Sequence, residues 1–170
     1  IAGASAAVAA GAIVAPKLAT PAAAQSDGAL QIGRETEFAP ILVPLHTSTG
    51  TQTQIFDFIY SRLLKVKDDL SFQPDAAESF EVSPDATVFT FKIRAGMTWH
   101  DGQPFTANDI VFTYKLALTK ATGAGAAGKL KQIKGATAFY DGTATEIEGL
   151  ELVDDSTIKI TLEKPNVAWL

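Results

Sequence analysis

Apolar and polar side chains alternate in the middle of the chain, within the stretch from residue 88 to residue 94. A period of two puts one set of side chains on each face of an extended strand, so this stretch predicts a half-buried β-strand. Residues 82–86, just before it, include proline, serine and aspartate, which favour a turn. Together the two stretches predict a β-hairpin. The inward set is Phe89, Phe91 and Ile93, and the outward set is Thr90, Lys92 and Arg94.

A second turn, at residues 99–104, is followed by a predicted helix. Thr106 suits the N-cap, and Asp109 falls at the third helical position, where a carboxylate can bind free backbone N–H groups. Phe105 is placed to pack on Ile110 as a hydrophobic staple. Later apolar residues keep the three- and four-residue spacing of a helix, namely Ile110, Val111, Tyr114 and Leu118.

Residues 89–112, FTFKIRAGMTWHDGQPFTANDIVF, closely resemble the signature of the family 5 extracytoplasmic solute-binding proteins, the peptide, nickel and related receptors of ABC importers. The resemblance implies an α/β (mixed α+β) fold that is the N-terminal part of a two-lobe, type II periplasmic-binding-protein-like structure. A hairpin-rich subdomain is inserted into the first lobe of such proteins. The signature residues to which a structural role is assigned are Trp99, His100, Asp101, Gly102, Pro104, Phe105, Thr106, Ala107 and Asp109.

Other segments have weaker patterns. Strands are predicted at residues 29–33, 147–153 and 157–162, the last two joined by an acidic turn at 154–156. Helices are predicted at 51–64 and 133–141, and a short helical turn at 75–79. Residues 119–128, TKATGAGAAG, have the composition of a flexible surface loop.

The family comparison also divides the chain. Residues 1–24 are rich in alanine and glycine and end in Ala22-Ala23-Ala24, which fits part of a secretory signal peptide cleaved after Ala24. By analogy, residues 25–64 begin lobe I, 65–162 form the inserted subdomain, and 163–170 return to lobe I. We expect export to the periplasm, no stable membrane insertion, and a mature protein about three times this length.

Composition excludes several classes of protein. The 14 basic and 19 acidic residues give a net charge of −5 and are scattered, so neither nucleic acid nor an anionic membrane is expected as a partner. The chain has no cysteine, which excludes disulfides, thiolate metal sites, a cysteine nucleophile and a lipid-modified cysteine in this sequence.

No catalytic, metal or cofactor site is predicted. His100-Asp101 resembles an acid–base pair, but adjacent residues in a turn rarely direct their side chains at each other, and Asp101-Gly102 is a common turn pair. His46 is a weak candidate nickel ligand, because no metal-ligand spacing surrounds it. Gly123-Ala124-Gly125 lacks the lysine and hydroxyl residue of a phosphate loop. Trp99 and Trp169 are expected to be packed.

The predicted ligand contacts lie in one polar loop, residues 45–54. In relatives, the corresponding loop lines the cleft between the lobes, and this one is rich in donors and acceptors suited to peptide or polyol groups. A solvent-exposed polar loop without ligand is the alternative. The Asp-Pro pair common in the family is missing here. The candidate residues are His46, Thr47, Ser48, Thr49, Gly50, Thr51 and Gln52.

The leading hypothesis is a monomeric substrate-binding component of an ABC importer that captures a peptide or similar small solute and presents it to the permease. Two alternatives remain open. One is an extracytoplasmic hydrolase that uses His100 with a carboxylate, and the other is a ligand-binding sensory partner protein.

Overall fold

The alternating segment is a central strand of an antiparallel sheet in the computed structural model, which describes residues 43–46 and 50–170. The strands are β1 Leu64–Val66, β2 Phe72–Pro74, β3 Ala77–Val82, β4 Val88–Ile93, β5 Leu150–Asp154 and β6 Thr157–Thr161, and the helices are α1 Gly50–Ile59, α2 Ala107–Leu118, α3 Ala127–Leu130 and α4 Ala136–Tyr140. Along the chain, helix α1 comes first, a two-stranded sheet (β1 and β2) follows, and helices α2 to α4 lie between the two hairpins, β3-β4 and β5-β6, of a four-stranded sheet. Short 3-10 turns occupy Pro44–His46, Lys120–Thr122 and Val167–Trp169.

The larger sheet has the strand order β3-β4-β6-β5, so it joins two hairpins through the pairing of β4 with β6. Phe89 and Phe91 of β4 pair with Ile160 and Ile158 of β6, and all four side chains are buried. Burying such a side chain stabilises the fold by roughly 1.5–3 kcal/mol. The predicted inward face of the first hairpin is therefore confirmed, and so is the hairpin around residues 154–156.

Helix α2 buries its apolar stripe in the same core as the sheet. Ile110 and Leu118 are 7% and 0% exposed, which confirms the predicted spacing. Ile133 and Ile147, from the segments on either side of α4, are also buried and complete the core. One apolar core thus holds the signature hairpin, the signature helix and the second hairpin together.

The predicted helix over residues 51–64 is too long. It ends at Ile59, because the backbone carbonyls of Arg62 and Leu63 accept hydrogen bonds from residues 75–77. Phe56 of α1 is buried, whereas Phe58 and Ile59 of the predicted face are 74% and 63% exposed.

The predicted helical turn at residues 75–79 is wrong. Ala77 begins β3, is fully buried and pairs with Ile93, with a bulge between Ala77 and Ser79. Backbone pairing with β4 and packing in the core outweigh the helical tendency of two alanines.

The prediction of a flexible surface loop at residues 119–128 is also partly wrong. The segment contains the 3-10 turn Lys120–Thr122, and Ala124 and Ala127 are buried. Small residues fit here because the backbone lies close to the core. A flexible loop is also rich in small residues, so composition alone does not distinguish the two cases.

Residues 43–170 fall within one compact unit, Arg34–Leu170. The predicted signal segment, residues 1–24, and the strand predicted at 29–33 lie outside the described residues. The division into lobe I and an inserted subdomain stays a prediction. Within residues 43–46 and 50–170, none of the helices combines the length and apolar character needed to cross a membrane.

Candidate functional site

The signature turn is closed mainly by backbone hydrogen bonds. Trp99 N donates to Gln103 O at 2.8 Å, and Gly102 N donates to Trp99 O at 3.0 Å. Gly102 has φ = 85°, a conformation that glycine adopts without the strain a side chain would add. The Asp101 carboxylate accepts from Gln103 N at 2.9 Å. Thr98 and Pro104 bridge the two ends of the turn.

The turn geometry gives His100 no acid–base partner. Its neighbour Asp101 is bonded to the turn backbone, and His100 itself is exposed. In the described part of the chain, no group of three or more histidine, cysteine, aspartate or glutamate side chains is arranged to hold a metal ion. His100 therefore lies in the turn that its sequence context predicts, and its structural role stays a prediction.

The start of α2 follows the predicted cap. The Asp109 carboxylate accepts a hydrogen bond from Thr106 N at 2.7 Å, the acidic half of a capping box. Ala107 is fully buried, and its N–H donates to Asp155 O at 2.9 Å. The start of the signature helix is thus held against the turn between β5 and β6. Sequence reasoning missed this contact, and only the small size of Ala107 hinted at it.

The two tryptophans have different environments. Trp169 is 5% exposed and lies 5.2 Å from Phe89, ring centre to ring centre, as its predicted packing requires. Trp99 is 41% exposed, although its ring contacts Phe105 edge-on at 5.3 Å. The prediction of packing therefore holds for Trp169 and only partly for Trp99.

The described residues of the predicted ligand loop belong to different elements of the structure. His46 is exposed and ends a 3-10 turn, which is joined to residues after α2 by a 3.1 Å hydrogen bond from Gly125 N to Leu45 O. The middle residues, Thr47, Ser48 and Thr49, lie outside the described residues. The last three, Gly50, Thr51 and Gln52, lie in the first turn of α1 instead of a loop. Ligand contact by this segment stays a prediction.

An apolar cleft of about 780 Å³ lies beside the signature turn and α2. Sequence reasoning missed it because its walls come from segments far apart in the chain. The signature residues Trp99, Phe105 and Asp109 contribute to these walls, and none of the described loop candidates does. Other residues of the cleft walls include Val43, Leu45, Tyr60, Arg62, Val66, Tyr114, Leu116, Lys129, Trp169 and Leu170.

Two polar groups stand out in the cleft walls. Removal from water raises the pKa of Tyr114 to about 12, because the charged phenolate is poorly solvated there. The indole Nε1 of Trp169 is buried without a hydrogen-bond acceptor among the described residues. Leaving such a donor unsatisfied costs about 1–3 kcal/mol.

The described charged groups of the cleft walls already have partners. Arg62 pairs with Asp57, Lys129 Nζ donates to Leu170 O at 3.3 Å, and the Asp109 carboxylate caps its own helix. The cleft thus offers apolar surface, neutral hydrogen-bond donors and the ammonium group of Lys129, whose described partner is a neutral carbonyl.

Comparison with known proteins agrees with this framework. Residues 71–170 match the model of bacterial extracellular solute-binding proteins, family 5 Middle. A probable deoxycholate-binding periplasmic protein of Escherichia coli is 34% identical over 131 residues, which is 75% of this chain and 24% of that protein. A periplasmic oligopeptide-binding protein of Haemophilus influenzae is 38% identical over 96 residues, 55% of this chain and 18% of that protein.

Solved structures show the same arrangement. A periplasmic oligopeptide-binding protein of Borrelia burgdorferi superimposes with a TM-score of 0.70 and 30% identity, over 75% of this chain and 26% of that one. A peptide-bound oligopeptide-binding protein of Listeria monocytogenes gives a TM-score of 0.71 at 27% identity, over 78% and 26% of the two chains. The chain spans about a quarter of the length of these two structures. Because the family model covers residues 71–170 and the fold matches as well, the chain belongs to the family 5 bacterial extracellular solute-binding proteins.

Proposed function

We propose that this chain is part of the substrate-binding component of an ABC importer, which captures a peptide or similar small solute outside the cytoplasmic membrane and delivers it to the permease. The observation that carries the proposal is the family match over residues 71–170, which includes the capped signature helix. Several relatives are named as peptide-binding proteins of ABC transporters, and one as deoxycholate-binding. We therefore favour a peptide and treat a bile acid as the competing solute.

The proposed mechanism is a population shift and includes no covalent chemistry. A solute that contacts two lobes stabilises the closed form, and the permease recognises that form. In this scheme residues 25–64 begin lobe I, 65–162 form its inserted subdomain, and 163–170 return to lobe I. The protein acts as a monomer in the periplasm, where residues 1–24 direct it as part of a signal peptide.

The proposed solute contacts are His46, Thr47, Ser48, Thr49, Gly50, Thr51 and Gln52. Support comes from Gly50, Thr51 and Gln52, which form the first turn of α1. The first N–H groups of a helix lack intrahelical partners and carry partial positive charge, so they favour carbonyl or carboxylate oxygens. A peptide has both kinds of acceptor.

Isothermal titration calorimetry on the whole protein tests this function. We expect saturable binding of members of an oligopeptide library and no comparable binding of deoxycholate. Replacing Thr47, Ser48 and Thr49 together by alanine should weaken peptide binding at least tenfold, whereas Thr145→Ala, which removes an exposed hydroxyl elsewhere in the chain, should not change it. Binding of deoxycholate alone would overturn the peptide assignment, and an unchanged affinity in the triple variant would overturn the proposed contacts.

The two alternatives make different predictions. A hydrolase that uses His100 loses turnover of a bound peptide in His100→Ala, whereas the importer component shows no turnover and the variant keeps its affinity. A sensory partner binds the same solute, but deleting its gene leaves solute uptake by cells unchanged.

A further inference from the structure

The leucine at position 70 has a backbone conformation that the described chain otherwise leaves almost entirely to glycine. Its φ is 64°, in the left-handed region that is unfavourable for a residue with a Cβ. Among the described residues, the other positive φ values belong to five glycines and to Ala86. A branched apolar side chain is therefore placed here against a local preference that the same chain follows elsewhere.

Packing accounts for the conformation of Ala86 but not for that of Leu70. Ala86 is 6% exposed, and its carbonyl accepts a hydrogen bond from Asn166 N at 3.1 Å. Leu70 is 80% exposed, so burial of its side chain does not offset the strain. Unfavourable backbone conformations that bring no packing are concentrated at functional sites. The conformation of Leu70 therefore points to a function of its side chain.

The position of Leu70 suits contact with another molecule. Leu70 lies at the tip of the β1–β2 hairpin, where its N–H donates to Lys67 O at 2.9 Å. A 2.9 Å hydrogen bond from Lys67 N to Ser71 O closes the same turn, and the Asp69 carboxylate accepts from Ser71 N at 2.9 Å. Bonds that hold the tip in one conformation reduce the entropy lost on binding. The turn thus presents one leucine side chain on a fixed backbone.

The charges beside Leu70 indicate the class of partner. Lys67, Asp68 and Asp69 give the tip a net charge of −1 (1 − 2). Hydrogen bonds from Ser71 lower the pKa of Asp69, which keeps its carboxylate charged at neutral pH. An anionic lipid surface repels a tip of this charge. An apolar side chain next to acidic groups fits an apolar socket of a protein with basic groups at its rim.

We propose that the tip of the β1–β2 hairpin is a docking contact for the permease, with Leu70 as its apolar anchor. The inference rests on the proposed function, in which the permease is the protein that receives the solute. The Leu70 side chain enters an apolar socket on the permease, and the exposed Asp68 faces basic groups at the rim of that socket. The solute contacts proposed at residues 46–52 are separate, so docking and solute binding change independently.

Peptide uptake by proteoliposomes that contain the permease and its ATPase tests this contact. The whole protein is added with peptide, and the protein concentration that gives half-maximal uptake reports its affinity for the permease. Leu70→Gly relieves the strain and removes the side chain, so this concentration should rise about tenfold or more, while peptide affinity measured by calorimetry stays unchanged. Leu70→Met keeps a long apolar side chain and should retain the native value within about twofold.

Two further variants serve as a control and as a test of the charges. Val153→Ala truncates an apolar side chain that is 53% exposed on β5, away from the hairpin, and should leave half-maximal uptake unchanged. Asp68→Asn should give a smaller rise than Leu70→Gly, and high salt should remove the difference from the native protein. If Asp68→Asn has no effect at low salt, the basic rim of the socket is refuted.

The outcomes separate this inference from the proposed function. If Leu70→Gly and the native protein give half-maximal uptake at the same concentration, the docking contact is overturned and the proposed function stands. A native protein that binds peptide but supports no uptake overturns the proposed function, and this inference with it.

Thiol labelling of Leu70→Cys in the whole protein identifies what covers the tip. The thiol should react freely in the free protein and become protected when the permease is added. A thiol that is already protected in the free protein shows that its own chain covers the tip. Protection by lipid vesicles without permease shows a membrane contact instead. Either of these two results overturns the proposal.

Discussion

Gly149 lies where two backbone segments cross, just before β5. Its N–H donates to Lys134 O at 2.8 Å, its carbonyl accepts from Thr161 N at 2.7 Å, and Lys134 N donates to Thr161 O at 2.9 Å. A Cβ at residue 149 would stand 2.3 Å from Thr161 O and 2.8 Å from Lys134 N. Both atoms belong to the backbone and cannot turn away as a side chain could, so Gly149→Ala must separate the two segments.

The cost of this substitution follows from the distances. An ordinary carbon-to-oxygen contact is about 3.3 Å or longer, so Thr161 O must move by about 1 Å. Overpacking of this kind costs about 1–3 kcal/mol, and each weakened hydrogen bond about 0.5–1.5 kcal/mol. We expect a loss of about 2–4 kcal/mol in the free energy of unfolding, a large part of the stability of a typical domain.

Urea unfolding followed by tryptophan fluorescence measures the effect, with two other glycines as controls. Gly128 is exposed within α3 with open space around a new Cβ, so Gly128→Ala should raise stability by about 0.4–1 kcal/mol. Gly142 also has open space but a φ of +75°, so Gly142→Ala should cost about 1–2 kcal/mol through backbone strain alone. If Gly149→Ala were no less stable than Gly142→Ala, the collision argued here would be refuted.

Three further predictions concern single side chains. Hydrogen bonds from Ser83 and Thr87 lower the pKa of Asp85 below its ordinary 3.8. The stabilising effect of the Asp85 carboxylate is therefore complete above pH 3.8 and is lost as the pH falls through the lowered pKa. Between about pH 5 and pH 2, the thermal unfolding temperature should fall more steeply for the native protein than for Asp85→Asn. Leu70 is 80% exposed with φ = 64°, so Leu70→Gly should stabilise the protein by up to about 1 kcal/mol in urea unfolding, and a loss of stability would contradict the assigned strain. Asp109→Ala removes the cap of α2 and should cost about 0.5–2 kcal/mol in the same assay, whereas unchanged stability would show that the cap contributes nothing.

The sequence predicted best those elements whose signals are local. The alternation around Phe89 and Phe91 defined β4, and the spacing of Thr106 and Asp109 defined the start of α2, because each depends on neighbours along the chain. The family signature and the turn within it were also recognisable from consecutive residues.

Prediction failed where distant backbone groups decide the conformation. Ala77 joins a strand because β4 offers it partners, and Leu63 leaves the predicted helix because its carbonyl accepts from residues 75 and 77. The contact of Ala107 N with Asp155 O and the apolar cleft both bring together residues that lie far apart in the chain. Periodicity has no means of detecting such contacts.

The central position of β4 affects how the chain acquires its structure. One edge of β4 pairs with β3 within a short hairpin. The other edge pairs with β6, which begins 64 positions after β4 ends (157 − 93), and so it stays unpaired until β6 has been synthesised. At a synthesis rate of about 5–20 residues per second, the open edge of β4 persists for about 3–13 s on the ribosome. An unpaired apolar strand edge is a site of aggregation and of chaperone binding, so β4 is open to both until β6 has been made.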